Sequence, residues 1–347
     1  MSGTWTNQNK ILPGAYINFL TNAPISITPG DRGVVVLLQE MSVGVAGDIY
    51  TMNATENNYP VGVTTEDKFL TNEILKGAQT VHLYNLGSAH DASVIEIALN
   101  KIKTVEFDVL VYPYDGAGVD ANKATITTWI KSMVNTEGKG IQCVLANYDG
   151  DYEGVINVTH GVKLADATEL TPAKATAWVA GITAGAKMYQ SNTGRKYLGA
   201  IDVIPRMTKT EMEAAVVAGK FIFKVDNAQN VSVLYDINSL TTISAEKGKA
   251  FTKNRVVRTL NAINNDITEI FESNYVGKMN NNEDGRSLLR ATIIDYFKEL
   301  QRLSAIKNFN PTDVTVSEGT DADSVVINCF IQPVDSVEKM YITVNLA

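Results

Sequence analysis

The chain has 347 residues, of which 45% are hydrophobic and 20% are charged, proportions typical of globular proteins rather than disordered ones. Its net charge of -8 argues against a nucleic-acid partner, and no apolar run reaches the ~18 residues that would predict a membrane span. The first residues, "MSGTWTNQNK", lack the apolar stretch of a secretory signal, so we expect synthesis in the cytoplasm.

The first half of the chain alternates predicted strands and helices. After a short strand pattern near the N-terminus, "AYINF", near-continuous apolar strands recur, and helices of ordinary length separate the later ones. This pattern predicts an α/β fold with a parallel sheet covered on both faces. The predicted strands are Arg32–Glu40, Thr80–Leu86, Phe107–Tyr114 and Ile141–Tyr148, and the helices are Ala92–Ile102 and Asp120–Val134.

The pattern changes towards the C-terminus. Lys220–Val225 and Val231–Ile237 predict a β-hairpin, and two amphipathic helices follow, with apolar stripes starting at Val256 and Leu289 and Asp284 as N-cap of the second. Three strand patterns complete a smaller α+β domain. The predicted organisation is an N-terminal arm (1–20), an α/β core domain (21–240), a C-terminal α+β domain (241–333) and a C-terminal arm strand (334–347).

The motifs that carry chemistry elsewhere are weak here. Asp115–Ala121 matches G-x-G-x-x-A at a strand-to-helix junction, but the acidic residue expected about 20 residues later comes late, which favours an ordinary helix start over a dinucleotide site. Asp149–Glu153 lacks the rest of a calcium loop. Three histidines show no metal-ligand spacing, and Cys143 and Cys329 favour buried thiols over a disulfide. We therefore predict no catalytic, metal or cofactor-binding residues.

Several stretches resemble one protein family. Asp236–Pro311, continuing into Gln332–Val344, closely resembles the C-terminal part of contractile tail sheath proteins of myophages and of phage-tail-like bacteriocins of Gram-positive bacteria. Gly3–Phe19 and Asp31–Glu40 are similar to the opening of these proteins, and Asp151–Val158 to their middle. The resemblance is dense over the last third of the chain and patchy through its centre.

The resemblance implies a fold and a manner of assembly. The family core resembles a subtilisin-like α/β layer without a catalytic triad, and the extra outer domain of many members is expected to be reduced or missing here. Terminal arms of sheath proteins each add a strand to the C-terminal sheet of a neighbouring subunit. The corresponding residues are Ala15, Tyr16, Ile17, Asn18 and Phe19 in the N-terminal arm and Met340, Tyr341, Ile342, Thr343, Val344 and Asn345 in the C-terminal arm. The alternative is that both ends pair within their own chain.

A contact with an inner tube is a further expectation. The family's C-terminal domain faces inward, which would place the start of the second helix against the tube. The residues concerned are Asn282, Asp284, Arg286 and Arg290. The alternative is a solvated face, as is usual for basic residues on an acidic protein.

The predicted function is that of a structural subunit of a contractile tail sheath. It would polymerise around an inner tube and contract to drive the tube through a bacterial envelope, without enzymatic activity or a cofactor. Expected partners are further copies of the chain, the inner tail tube protein, and baseplate and tail terminator proteins, with no nucleic acid or membrane. Assembly in the bacterial cytoplasm and release on lysis follow. The alternatives are a nucleotide-binding or hydrolase-like α/β enzyme and a surface array protein.

Overall fold

The computed structural model of the chain describes residues 32–116 and 118–344. The predicted N-terminal arm, Ala15 to Phe19, and Asn345 lie outside the described residues. Among the described helices, none has the length and apolar character needed to cross a membrane.

Strands and helices alternate through the first two thirds of the described chain. The strands are β1 (Val34–Gln39), β2 (Ile49–Asn53), β3 (Thr80–Asn85), β4 (Val109–Tyr112), β5 (Gln142–Ala146), β6 (Val155–Val158), β7 (Gly161–Leu164), β8 (Glu169–Leu170), β9 (Ala200–Ile204), β10 (Lys220–Phe221), β11 (Phe223–Val225), β12 (Val231–Val233), β13 (Ile306–Lys307), β14 (Val314–Glu318), β15 (Val325–Cys329) and β16 (Gln332–Pro333). The helices are α1 (Thr65–Leu75), α2 (Ala92–Ile102), α3 (Asp120–Asn135), α4 (Pro172–Ala184), α5 (Lys209–Val217), α6 (Asn254–Asn274) and α7 (Glu283–Arg302).

A seven-stranded sheet forms the central layer, in the order β10-β6-β5-β4-β1-β3-β2. All neighbouring pairs are parallel except β2 with β3, at one edge. The inner strands are apolar throughout because hydrophobic clusters cover both sheet faces, one including α4 and the other α2 and α3. The predicted α/β fold is confirmed, and the four predicted strands are shorter than predicted by one to four residues.

Helix α4 was missed by the sequence analysis because it has no polar face. Every residue from Ala175 to Ala184 is buried, so no amphipathic stripe exists to detect. The local signal was present at its start, where the Thr171 hydroxyl accepts a hydrogen bond from the Lys174 N–H and Pro172 occupies the first turn. Its neighbour α1 approaches so closely that a Cβ on Gly181 would lie 2.2 Å from the Ile74 carbonyl oxygen.

The C-terminal region forms a separate hydrophobic cluster from α6, α7 and the short strands that follow, with Met188 from the first half of the chain added. The Asp284 N-cap prediction was wrong: Asn282 caps α7, and its side-chain oxygen accepts a 2.9 Å hydrogen bond from the Gly285 N–H. Asp284 lies in the first turn instead.

The predicted hairpin is correct only in part. Strands β11 and β12 pair antiparallel, but Lys220–Phe221 joins the central sheet beside β6, and the second strand ends at Val233 rather than Ile237. The chain therefore changes sheets at Ile222, where the sequence pattern shows no interruption.

The close packing of α4 on α1 generates the first testable prediction. Gly181→Ala would force a methyl group into the α1 backbone, so we expect it to lower the free energy of unfolding by about 1–3 kcal/mol. Gly248→Ala is the matched control, since its added Cβ would meet nothing within 4 Å. Urea unfolding of both variants measures the difference, and equal stabilities would contradict the packing described here.

Candidate functional site: the C-terminal domain and its junction with the α/β layer

Acidic side chains of the Asp115–Ala121 loop pair with a lysine of α3, the helix that follows it. The Lys123 ammonium is fully buried, 2.9 Å from an Asp115 oxygen and 3.2 Å from an Asp120 oxygen. Two carboxylates therefore lie at the start of α3, where a dinucleotide would place its negatively charged phosphates. This arrangement favours the ordinary helix start over a cofactor site.

A polar network lies where the strand order reverses, beside the carboxyl end of β1. His90 contacts a Glu40 oxygen through Nδ1 at 2.8 Å and the Tyr112 hydroxyl through Nε2 at 2.6 Å. Asn122 also donates to that hydroxyl, at 3.1 Å. Burial raises the pKa of Tyr112, so the phenol stays protonated and is a poor nucleophile. The network links the carboxyl ends of β1 and β4 to the start of α3.

The acidic side chains of the Asp149–Glu153 turn all have partners within the same chain. Asp149 accepts a 2.7 Å hydrogen bond from Asn157, Asp151 accepts from the N–H groups of Thr241 and Thr242, and Glu153 pairs with Lys247. Within residues 32–116 and 118–344, no group of three or more His, Cys, Asp or Glu side chains could hold a metal ion. The turn ties β6 to the segment that leads into the C-terminal domain.

Neither cysteine has a disulfide partner among the described residues. Cys143 is fully buried in β5, as predicted, and burial raises the pKa of its thiol. Cys329 is only partly buried, which corrects the expectation for the second thiol.

The small C-terminal sheets leave strand edges available. Strands β14 and β15 pair only with each other in the described region, as do β13 and β16. On β15, Val325, Ile327 and Cys329 pack against the helices, whereas Val326 and Asn328 are exposed. A two-stranded ladder of this kind offers backbone hydrogen-bonding groups to an added strand.

The C-terminal segment Met340–Val344 pairs with no strand among the described residues. Its apolar side chains are exposed: Met340 by 76%, Tyr341 by 90%, Ile342 by 74% and Val344 by 75%. Contiguous apolar exposure of this extent is typical of an interaction segment.

The residues predicted to contact a tube gather at the start of α7. Asn282 and Asp284 are exposed, while both arginines are partly engaged by their own chain. Arg286 donates to the Asn281 side-chain oxygen at 3.0 Å, and Arg290 donates to the Val314 carbonyl oxygen at 2.7 Å. The arginines therefore also stabilise the α7 start and β14.

Helix α6 joins the C-terminal domain to the α/β layer through buried polar contacts. Arg258 donates to the Thr183 and Gln190 carbonyl oxygens at 3.1 and 2.8 Å and lies 3.6 Å from an Asp236 oxygen. Asn254 donates to the other Asp236 oxygen at 2.9 Å. We call these contacts of α6 with the layer the polar junction.

The polar junction continues along α6. Asn265 exchanges two hydrogen bonds with the Gly140 backbone, at 2.8 and 3.0 Å. Further on, Asp266 pairs with Arg32 at 3.1 Å and accepts a 2.7 Å hydrogen bond from the Tyr296 hydroxyl of α7. The junction thus spans three turns of α6 and reaches the second C-terminal helix.

Sequence analysis identified α6 by its apolar stripe but missed the buried polar residues of the junction. An apolar periodicity identifies only one face, and polar residues on the other face are normally solvated. The sequence feature that could have indicated these buried polar residues is the pair Asn254 and Arg258, one turn apart, in a helix whose first turns contain few other charges.

Comparisons with known proteins agree with this architecture. Residues 85–239 match the family model for the phage tail sheath protein central domain, and residues 246–347 match that for the phage tail sheath C-terminal domain. The chain is 42% identical over 252 residues to the phage-like element PBSX protein XkdK of Bacillus subtilis, covering 70% of this chain and 54% of that protein. The chain thus spans about half the length of the curated relatives it matches.

The comparison with solved structures also finds sheath proteins. The sheath tail protein of Desulfitobacterium hafniense has a TM-score of 0.83 and 33% identity, over 95% of this chain and 99% of that one. The contracted helical sheath of the anti-feeding prophage has a TM-score of 0.72 and 16% identity, over 97% and 99%, a likeness that shows the fold alone.

An α/β layer joined to a helical C-terminal domain with short paired strands is the fold of contractile sheath proteins. The chain belongs to the phage tail sheath family.

Asp151 provides a pH-dependent prediction for the link between β6 and the C-terminal domain. Hydrogen bonds from Thr242 and Thr241 lower the pKa of its carboxyl group. The charged form is therefore favoured in the folded state, and this stabilisation is present above the unfolded pKa of about 3.9 and is lost as the pH falls through the lower folded pKa.

We expect Asp151→Asn to lower the thermal unfolding midpoint at pH 7, and we expect the difference from the unmodified protein to shrink below about pH 4. Asparagine tolerates the positive φ of 41° at this position, so backbone strain does not confound the comparison. Asp323→Asn, at an exposed turn position, is the control. A difference that stays constant with pH would contradict the assignment.

Proposed function

We propose that the protein polymerises as the subunit of a contractile tail sheath around an inner tube, and that contraction drives the tube through a bacterial envelope. The observation that carries this proposal is the exposed apolar segment Met340–Val344, in a chain of the phage tail sheath family. No nucleotide is required, because the energy is stored in the extended assembly and released as subunits gain interface. Family membership favours this function over the enzyme and the surface array protein.

The linkage between subunits is strand donation. In an extended segment, Met340, Ile342 and Val344 point to one side and Tyr341 and Thr343 to the other. Pairing with a neighbour's β14–β15 ladder would satisfy the backbone and cover the apolar side. The N-terminal residues Ala15 to Phe19 would add a second strand in the same way, with Asn345 extending the C-terminal one.

The inner tube is the second partner. The exposed Asn282 and Asp284, with Arg286 and Arg290 behind them, would contact it at the start of α7. Exposed charge pairs contribute only about 0–1 kcal/mol each, which suits a contact that must be released on contraction. Baseplate and tail terminator proteins would bind the ends of the polymer.

The proposal also covers the organisation of the subunit and where it assembles. The core domain (21–240) would correspond to the family's subtilisin-like layer, which its parallel sheet and covering helices support. The C-terminal domain (241–333) would form the inner part of the sheath. Assembly would take place in the bacterial cytoplasm, and the particle would be released on lysis.

Deleting residues 339–347 tests strand donation. The described part of this segment makes no strand pairing with its own chain, so the truncated protein should remain folded and soluble yet form no tubes. Circular dichroism measures the fold, and sedimentation with negative-stain electron microscopy measures assembly.

A matched control keeps the length of the segment and changes one exposed side chain outside it, Leu198→Ser. This variant should assemble like the unmodified protein. Tubes formed by the truncated protein would refute strand donation, and unfolding of the truncated protein would show that the segment belongs to its own subunit.

A further inference from the structure

Glu338 lies immediately before the exposed C-terminal segment, and its side chain is buried. Its side chain is 7% exposed, whereas the neighbouring Val337 is 88% exposed. One carboxylate oxygen accepts hydrogen bonds from the hydroxyls of Thr193 at 2.6 Å and Ser191 at 3.2 Å. The other pairs with the Lys253 ammonium.

The Lys253 side chain is also buried and makes several contacts. Its side chain is 10% exposed, and its ammonium lies 3.6 Å from the centroid of the Tyr235 ring and 3.6 Å from an Asp335 oxygen. Burial tends to raise the pKa of Glu338, but hydrogen bonds from Lys253 and Thr193 outweigh it and lower that pKa. The pair is therefore charged and fully partnered at neutral pH, the condition under which a buried ion pair is tolerated.

These contacts connect Glu338 to the polar junction. The Thr193 hydroxyl oxygen accepts a 2.9 Å hydrogen bond from the Asp236 N–H, and the neighbouring Asn192 N–H donates to the Asp236 carboxylate at 2.9 Å. Asp236 is the same carboxylate that pairs with Arg258. A pulling force on the C-terminal segment would therefore be transmitted through Glu338 to the α/β layer rather than to the short β13–β16 ladder.

We propose that Glu338 is the positioning residue that fixes where the C-terminal segment leaves the subunit. The inference rests on the proposed function, and it moves the start of the donated segment from residue 334 to residue 339. Residues 339–344 span at most roughly 20 Å when extended. An edge that pairs with Met340–Val344 must then lie within about that distance of Glu338, compared with roughly 36 Å if the segment were free from residue 334.

The test removes the ion pair and leaves the donated residues unchanged. Glu338→Ala alone would leave the Lys253 ammonium buried without its main partner, so the principal variant combines Lys253→Met with Glu338→Gln. Val337→Ala is the control, because it changes an exposed side chain of the same segment. Amide hydrogen exchange over residues 334–338 of the free subunit and sedimentation of assembled tubes are measured for each variant.

We expect exchange at Val334 and Ser336, whose N–H groups donate hydrogen bonds in the structure, to become about tenfold faster or more in the double variant, with no change in the control. Tube yield should fall severalfold although residues 339–347 are intact. Unchanged exchange together with normal tubes would overturn the assignment, and so would faster exchange with normal tube yield. If deletion of residues 339–347 leaves assembly intact, strand donation itself is wrong, an outcome distinct from a failure of the Glu338 assignment.

Discussion

The pairing of Arg258 with Asp236 inside the protein constrains the rest of the structure. Two buried charges are tolerated only when their remaining hydrogen-bonding groups are satisfied, and removing one partner from such a pair typically costs about 3–5 kcal/mol. Here the carbonyl oxygens of Thr183 and Gln190 accept hydrogen bonds from Arg258, and Asn254 donates to Asp236. The Arg258 Nη2 makes no hydrogen bond to the described residues and lies 3.6 Å from the Asp236 carboxylate. These contacts hold helix α6 against the α/β layer, and α7 and the short strands form one hydrophobic cluster with α6.

This arrangement separates the fixed part of the subunit from the part available to its neighbours. The polar junction and three hydrophobic clusters hold the helices and the central sheet. The inward-facing side chains of β14 and β15 belong to or pack against the third cluster, whereas the outer side chains of β15 and the segment Met340–Val344 are exposed. A subunit of this design can keep its internal contacts while its contacts with other subunits change, as the proposed contraction requires.

Pattern analysis predicted α2, α3, α6 and α7 but missed α1 and α5, although each of these two begins with a capping box, Thr64 with Asp67 and Thr208 with Glu211. It also missed elements that depend on their tertiary surroundings. Helix α2 was predicted to the residue and α3 to within one residue, because alternating apolar strands and amphipathic helices are visible along the chain. Helix α4 lacks a polar face. No sequence feature marks Ile222, the residue at which the chain passes from the central sheet to the β11–β12 ladder. The roles of Arg258 and Glu338 depend on burial, which pattern analysis does not reveal for charged residues. Family resemblance predicted a C-terminal arm, and the structure shows that the apolar side chains of Met340–Val344 are exposed.

Electron cryo-microscopy of tubes assembled from the full chain would show whether subunits exchange their C-terminal strands. We expect residues 340–344 to form a strand on the C-terminal sheet of a different subunit. We also expect α6, α7 and the α/β layer of each subunit to superpose as one body on the structure described here. A segment that folds back onto its own sheet, or an α6 that has separated from Asp236, would contradict these expectations.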